Sequence, residues 1–175
     1  MRQITLGLVL SAIVLAPAVY AQTPAPVCPT TATLDDLIKA IDAAVSGPAD
    51  KDRTCFRALF LPDARLIPYR AADDGSIKSR VLTVEDWIDA VKKRGSDVFY
   101  ESQIKVRTES WAHIAHLWST YETRTTPDGK PPAGKVLDRG INSIQAVYDG
   151  KQWHVVEIIW QAENPAEPLP EKYLP

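Results

Sequence analysis

The chain predicts an α+β fold, with three helices in its first half and long antiparallel strands in its second. Three observations carry this. Apolar residues recur at i, i+3, i+4 and i+7 behind a capping threonine at Thr33 and again at Thr83, which is the signature of amphipathic helices. Over residues 98–108 the pattern changes to alternation, the period of a strand. Residues 136–161, VLDRGINSIQAVYDGKQWHVVEIIWQ, then read as two long apolar strands folded on Asp149-Gly150, a strong hairpin signal.

A chain of 175 residues is the size of one ordinary domain. Its first 21 residues have a leader's form: Arg2 gives a positive start, an apolar run follows from Ile4, and Val19-Tyr20-Ala21 resembles a signal-peptidase site. Cleavage is expected after Ala21, and the apolar run is short for a bilayer, which needs about 20 residues. The expected product is a periplasmic or secreted protein with no membrane contact after cleavage. A net charge of −2 without a Lys/Arg-dense face argues against nucleic acid. Cys28 and Cys55 are either one disulfide, favoured in an oxidising compartment, or two separate thiols. A bridge of this span would stabilise by roughly 3 kcal/mol.

In order, residues 22–32 read as an extended tail rich in Pro, Thr and Ala. The first helix follows Thr33, with Leu34, Leu37, Ile38, Ile41 and Val45 on one face, and ends at Gly47-Pro48. A second starts near Asp50 or Asp52, buries Cys55, Phe56, Leu59 and Phe60, and stops at Pro62-Asp63. Residues 65–70 form a short strand that Pro68 assigns to an edge. Polar residues 71–80 lead to the third helix, TVEDWIDAVKKRG, with Val84, Trp87, Ile88 and Val91 buried and Gly95 as its stop. Strands over residues 98–108 and 111–125 precede a Pro/Gly-rich loop at 126–135 and then the hairpin. Residues 164–175 form a Pro-rich C-terminal tail whose Leu169, Tyr173 and Leu174 are available to dock on the domain.

The passages CFRALFLPDARLIPY, IAHLWSTYETR and RGINSIQAVYDGKQWHVVEIIWQ, in this element order, resemble the nuclear-transport-factor-2-like (NTF2-like) superfamily, in particular its SnoaL-like and DUF4440-like secreted members. The resemblance covers residues 33–163. It implies a cone, a curved antiparallel sheet wrapped over three N-terminal helices, and a homodimer as a common arrangement. It is weak on activity, because one fold hosts many chemistries. Its isomerase pattern needs a tyrosine and two acids in the cavity, its epoxide-hydrolase pattern an Asp, Arg, Asp set. Here the final strand ends in Ile158-Ile159-Trp160, and neither activity transfers.

With a two-residue turn the hairpin sets Tyr148 against Lys151, Gln145 against His154, Asn142 against Glu157, and Arg139 against Trp160. One face then carries Arg139, Ser143, Gln145, His154, Ile158 and Trp160, an apolar wall with a few polar groups of the kind that lines small-molecule pockets. The resemblance adds His116, Trp118 and Thr120 nearby. The same face read as core or dimer surface stacks Arg139 on Trp160 instead. The other face puts Asn142 opposite Glu157 among apolar residues, where a carboxylate would hold its proton and serve as acid or base, or else be neutralised by a neighbouring cation. The two sets cannot share one surface unless a bulge breaks the register.

The expected ligand-binding residues are therefore Trp118, Arg139, Asn142, Gln145, Ile158 and Trp160. The expected role is binding of a small, partly apolar molecule in the cone. Alternatives are an isomerase, hydrolase or lyase with Glu157 or His116 as proton carrier, and a homodimeric interaction module. No cofactor or metal is expected: His113 and His116 fall on opposite faces of a strand and cannot easily share an ion.

Overall fold

A computed structural model of the chain describes residues 26–71, 76–95, 97–127 and 134–175. The proposed leader and its cleavage point lie outside these residues, as do residues 72–75 and 128–133 of the loops expected at 71–80 and 126–135. Helix α1 (Leu34–Val45) begins with a full capping box, Thr33 and Asp36 each receiving the other's backbone N–H. It buries Leu37, Ala40, Ile41, Ala44 and Val45. Strand β1 (Gly47–Pro48) follows through Gly47, whose φ of 106° suits glycine.

Helix α2 (Thr54–Ala58) is shorter than its sequence pattern predicts, and β2 (Phe60–Ala71) correspondingly longer. Phe60, Leu61 and Pro62 belong to the strand because an irregularity between Phe60 and Arg65 absorbs Pro62 and Asp63 at the surface. Strand β3 (Ile77–Ser79) and helix α3 (Val84–Lys92) come next, the latter with a second capping box from Thr83 and Asp86. Strands β4 (Val98–Trp111), β5 (Ile114–Arg124), β6 (Val136–Tyr148) and β7 (Trp153–Ala162) complete the fold.

The strands form one curved, unclosed sheet in the order β1-β4-β5-β6-β7-β2-β3. It is mixed where an antiparallel sheet was expected, because β2 runs parallel to β7. Pro68 sits comfortably there: β3 pairs only with Tyr69–Ala71, so no ladder partner needs the N–H that proline lacks. The inner face of the sheet packs on the helices through Leu66, Leu117, Ile144 and Val155, against Ile41, Phe56 and Ile88. Phe56 stacks on Trp87 with centroids 4.3 Å apart. A disulfide joins Cys28 to Cys55, and Thr31 beyond it exchanges hydrogen bonds with the backbone of Trp153, so the tail is tied down at both points.

Two bulges set which side chains face inward. In β4 the register shifts between Gln103 and Lys105, leaving Ile104 unopposed. In β7 it shifts at Val156, between the pairs Ala146–Val155 and Gln145–Glu157. The hairpin turn also differs from expectation. Asp149 accepts the N–H groups of Lys151 and Gln152 at 2.7 and 2.8 Å, which spreads the loop over 149–152 and pairs Tyr148 with Trp153 instead of Lys151. The remaining pairs move with it: Gln145 faces Glu157, and Asn142 faces Trp160.

Candidate functional site

A cavity of about 710 Å³ lies between the inner face of the sheet and the three helices. Its deep wall is apolar and aromatic, from Ile41, Phe56, Leu66, Trp87, Ile158 and Trp160. Its mouth is framed by the exposed residues Arg70, Arg94, Val98 and Leu137. Polar groups from three adjacent strands converge on it: Glu101 of β4, Tyr121 of β5, and Asp138 and Asn142 of β6.

The β7 bulge is what assembles this wall. Without it, Asn142 and Trp160 would point to opposite faces; with it, Asn142 lies opposite Trp160, and Ile144 opposite Ile158, all on the inner side. The β4 bulge has the matching effect, keeping Glu101 and Gln103 on the same side as Val106.

Glu101 is the centre of the polar network. Its Oε1 accepts from Gln103 Nε2 at 2.9 Å and from Asn142 Nδ2 at 3.2 Å. Gln103 in turn donates to Asp42 of α1 at 3.0 Å and accepts from the Ser119 hydroxyl. Burial, reinforced by the charge of Asp42, pushes the Glu101 carboxyl up to about 7, against the lowering effect of the two amide donors. Burial also raises Asp138, and the Tyr121 hydroxyl is raised by burial and by the charges of Asp138 and Glu101. Tyr121 has a fixed seat, since a Cβ on Gly140 would come within 2.7 Å of its hydroxyl and 2.1 Å of the Gln161 carbonyl oxygen.

Of the residues singled out from the sequence, Asn142, Ile158 and Trp160 meet at this cavity. Trp118, Arg139 and Gln145 lie on the opposite, outer face of the sheet. Trp118 packs against Tyr173 at 6.0 Å, and Arg139 pairs with Glu163 at 2.6 Å rather than stacking on Trp160. The two proton-carrier candidates are also on the outer face. Glu157 is ion-paired with Arg65 Nη2 at 2.5 Å, and His116 Nε2 lies 3.1 Å from Ser143 Oγ. The carboxylate beside Asn142 is thus Glu101, not Glu157. Among the described residues no three His, Cys, Asp or Glu side chains are grouped to hold a metal.

No protein-family model and no curated protein sequence matches the chain. Solved structures do. A protein of unknown function from Mycobacterium tuberculosis aligns with a TM-score of 0.56 at 12% identity, covering 77% of this chain and 73% of its own. One from Novosphingobium aromaticivorans, provisionally described as the beta subunit of an aromatic-ring-hydroxylating dioxygenase, aligns at 0.54 and 13% identity, covering 75% and 87%. An NTF2-like protein from Silicibacter pomeroyi aligns over 74% of this chain and 92% of its own, at 0.49 and 14% identity. The chain shares its fold with these structures, and its architecture agrees with the NTF2-like resemblance. At these identities the likeness concerns the fold, and the NTF2-like frame leaves activity to be argued from the cavity itself.

Glu101, Tyr121 and Asp138 escaped the sequence reading for one reason. Each sits on a strand whose alternation looked half exposed or apolar, and the register between strands brings them to one wall: Glu101 pairs with Thr123 and Thr123 with Asp138, and Tyr121 lies two residues along the same face. The available signal was Glu101 and Gln103 flanked by Phe99 on a single face of β4.

Proposed function

We propose that the protein is exported and binds a small, partly apolar molecule in the cavity between sheet and helices. The observation that carries this reading is the convergence of Glu101, Asn142 and Tyr121 on one aromatic-walled space of about 710 Å³, the size and composition of a small-molecule site. Trp87 and Trp160 would cover the ligand's apolar body, while the Glu101 carboxyl and the Tyr121 hydroxyl would meet its polar atoms. Export is supported by the apolar N-terminal run and by the Cys28–Cys55 disulfide. Among the described residues no helix is long and apolar enough to cross a membrane.

A second reading, proton transfer within the same cavity, is favoured by one observation: a carboxyl that titrates at about 7 can both take and give a proton at neutral pH. In this reading Glu101 replaces Glu157 and His116 as the carrier.

Native mass spectrometry of the protein purified from its own export compartment tests binding, with a retained small molecule as the expected result. Asn142→Ala and Trp160→Ala should fold and lose that molecule; retention by both at wild-type occupancy would sink the assignment. If protons move in the cavity, Glu101→Gln keeps the ligand and abolishes its conversion. N-terminal sequencing of the same material should begin at Gln22, and a chain still beginning at Met1 would overturn cleavage after Ala21.

A further inference from the structure

Among the described residues, strand β4 has an edge that the chain covers only at one end. β1 pairs with Val98 and Phe99. The next two outward amides are taken by α1 and the residue that caps its C-terminus: Glu101 N–H donates to Ser46 Oγ at 2.8 Å, and Gln103 N–H to Asp42 Oδ2 at 3.1 Å. After the bulge at Ile104, alternation of the antiparallel ladder turns the N–H and C=O groups of Val106, Thr108 and Ser110 away from β5. Among the described residues no strand continues the sheet on that side, and Arg107 to Trp111 are all exposed. An edge of this kind is a template for another strand.

We propose that a second copy of this chain pairs antiparallel with the β4 edge, in a register centred on Thr108, so that one sheet runs through two protomers. The sequence of residues 105–111, KVRTESW, is complementary to its own reverse. About Thr108, Arg107 lies opposite the partner's Glu109, and Glu109 opposite the partner's Arg107. Neither residue has an ion-pair partner within its own chain among the described residues. Both pairs fall at positions without mutual backbone hydrogen bonds, where side chains stand closest. The outward backbone groups meet in phase, Thr108 with the partner's Thr108 and Val106 with the partner's Ser110. Moving the centre to Arg107 or Glu109 keeps the hydrogen-bond phase but sets like charges face to face on the axis, so charge selects one register. Trp111, 78% exposed in the single chain, would be covered by the stem of the partner's Lys105.

The rest of the molecule favours the edge over the outer sheet face as the contact. The C-terminal residues already lie across that face: Thr120, 1% exposed, donates to the Tyr173 carbonyl at 2.7 Å, and Lys105 Nζ to the Leu174 carbonyl at 2.5 Å. A second copy docking on that part of the face would meet them instead of the sheet.

Sedimentation of the purified protein from about 1 μM to about 1 mM brackets a weak strand-edge contact. The mass should rise from monomer to dimer. Arg107→Glu and Glu109→Arg should each raise the dissociation constant at least about tenfold, a difference of about 1.4 kcal/mol. An equimolar mixture of the two variants should dimerise again, because every acid then faces a base. Thr108→Pro removes the central N–H and should abolish pairing. Circular dichroism checks that each variant is folded, and the exposed charge variants carry the test if the proline variant is not. A monomer at every concentration overturns the proposal; so does a dimer indifferent to these changes, or a mixture that fails to recover.

Discussion

Glu101 carries a proton in the folded protein at pH values where an ordinary glutamate has lost it, and the cause is burial beside the Asp42 charge. The sign of the consequence follows. A carboxyl raised from 4.5 to about 7 makes the folded state bind more protons than the unfolded one between those values, so stability falls as pH rises through that window. Glu101→Gln should therefore flatten the profile and be more stable than the wild type above pH 7, by on the order of 2 kcal/mol. Urea titrations between pH 4 and pH 8 measure it. Gly140 is a second residue whose identity the packing demands. Gly140→Ala would drive a methyl into the Gln161 carbonyl and the Tyr121 hydroxyl, and should lower stability by about 1–3 kcal/mol while disturbing the cavity. At this scale the sequence showed which residues were polar and which apolar, but not which polar groups would meet.

The helices were legible as elements because their determinants are local. Both capping boxes occupy the positions that Thr33 and Thr83 indicate, and Thr83→Ala should cost about 1 kcal/mol in thermal or chemical denaturation. Helix α2 was less legible, since β2 competes for Phe60 and Leu61 and wins them through pairing with β7. Register was the least legible property. A bulge changes the facing of every residue beyond it, and nothing in the alternation around Ile104 or Val156 announces one. The Asp149 side chain likewise widened a turn that Asp-Gly suggested would be tight. The disulfide belongs to this scale too: reducing Cys28–Cys55 should lower stability by roughly 3 kcal/mol, seen as a fall in melting temperature with reductant.

For the whole molecule, the sheet has two different faces. The inner one closes a cavity with the helices, and the outer one is partly covered by the chain's own C-terminus. Ending the chain after Glu163 should expose Trp118 and Thr120, shift tryptophan emission to the red, and remove about 2 kcal/mol with two hydrogen bonds and an aromatic contact. The cavity lies on the other side of the sheet, so a small molecule retained by the full chain, as proposed, should also be retained by that variant.

The sequence by itself determined the α+β order, the caps, the hairpin at Asp149-Gly150 and the NTF2-like resemblance, because these depend on neighbours within a few residues. Tertiary structure decided that β2 runs parallel to β7, that the β7 bulge turns Asn142, Ile158 and Trp160 to one wall, and that Glu101 rather than Glu157 is the carboxyl there. Those outcomes rest on contacts between strands far apart in the chain, and a side chain's face on a strand reverses with a single extra residue.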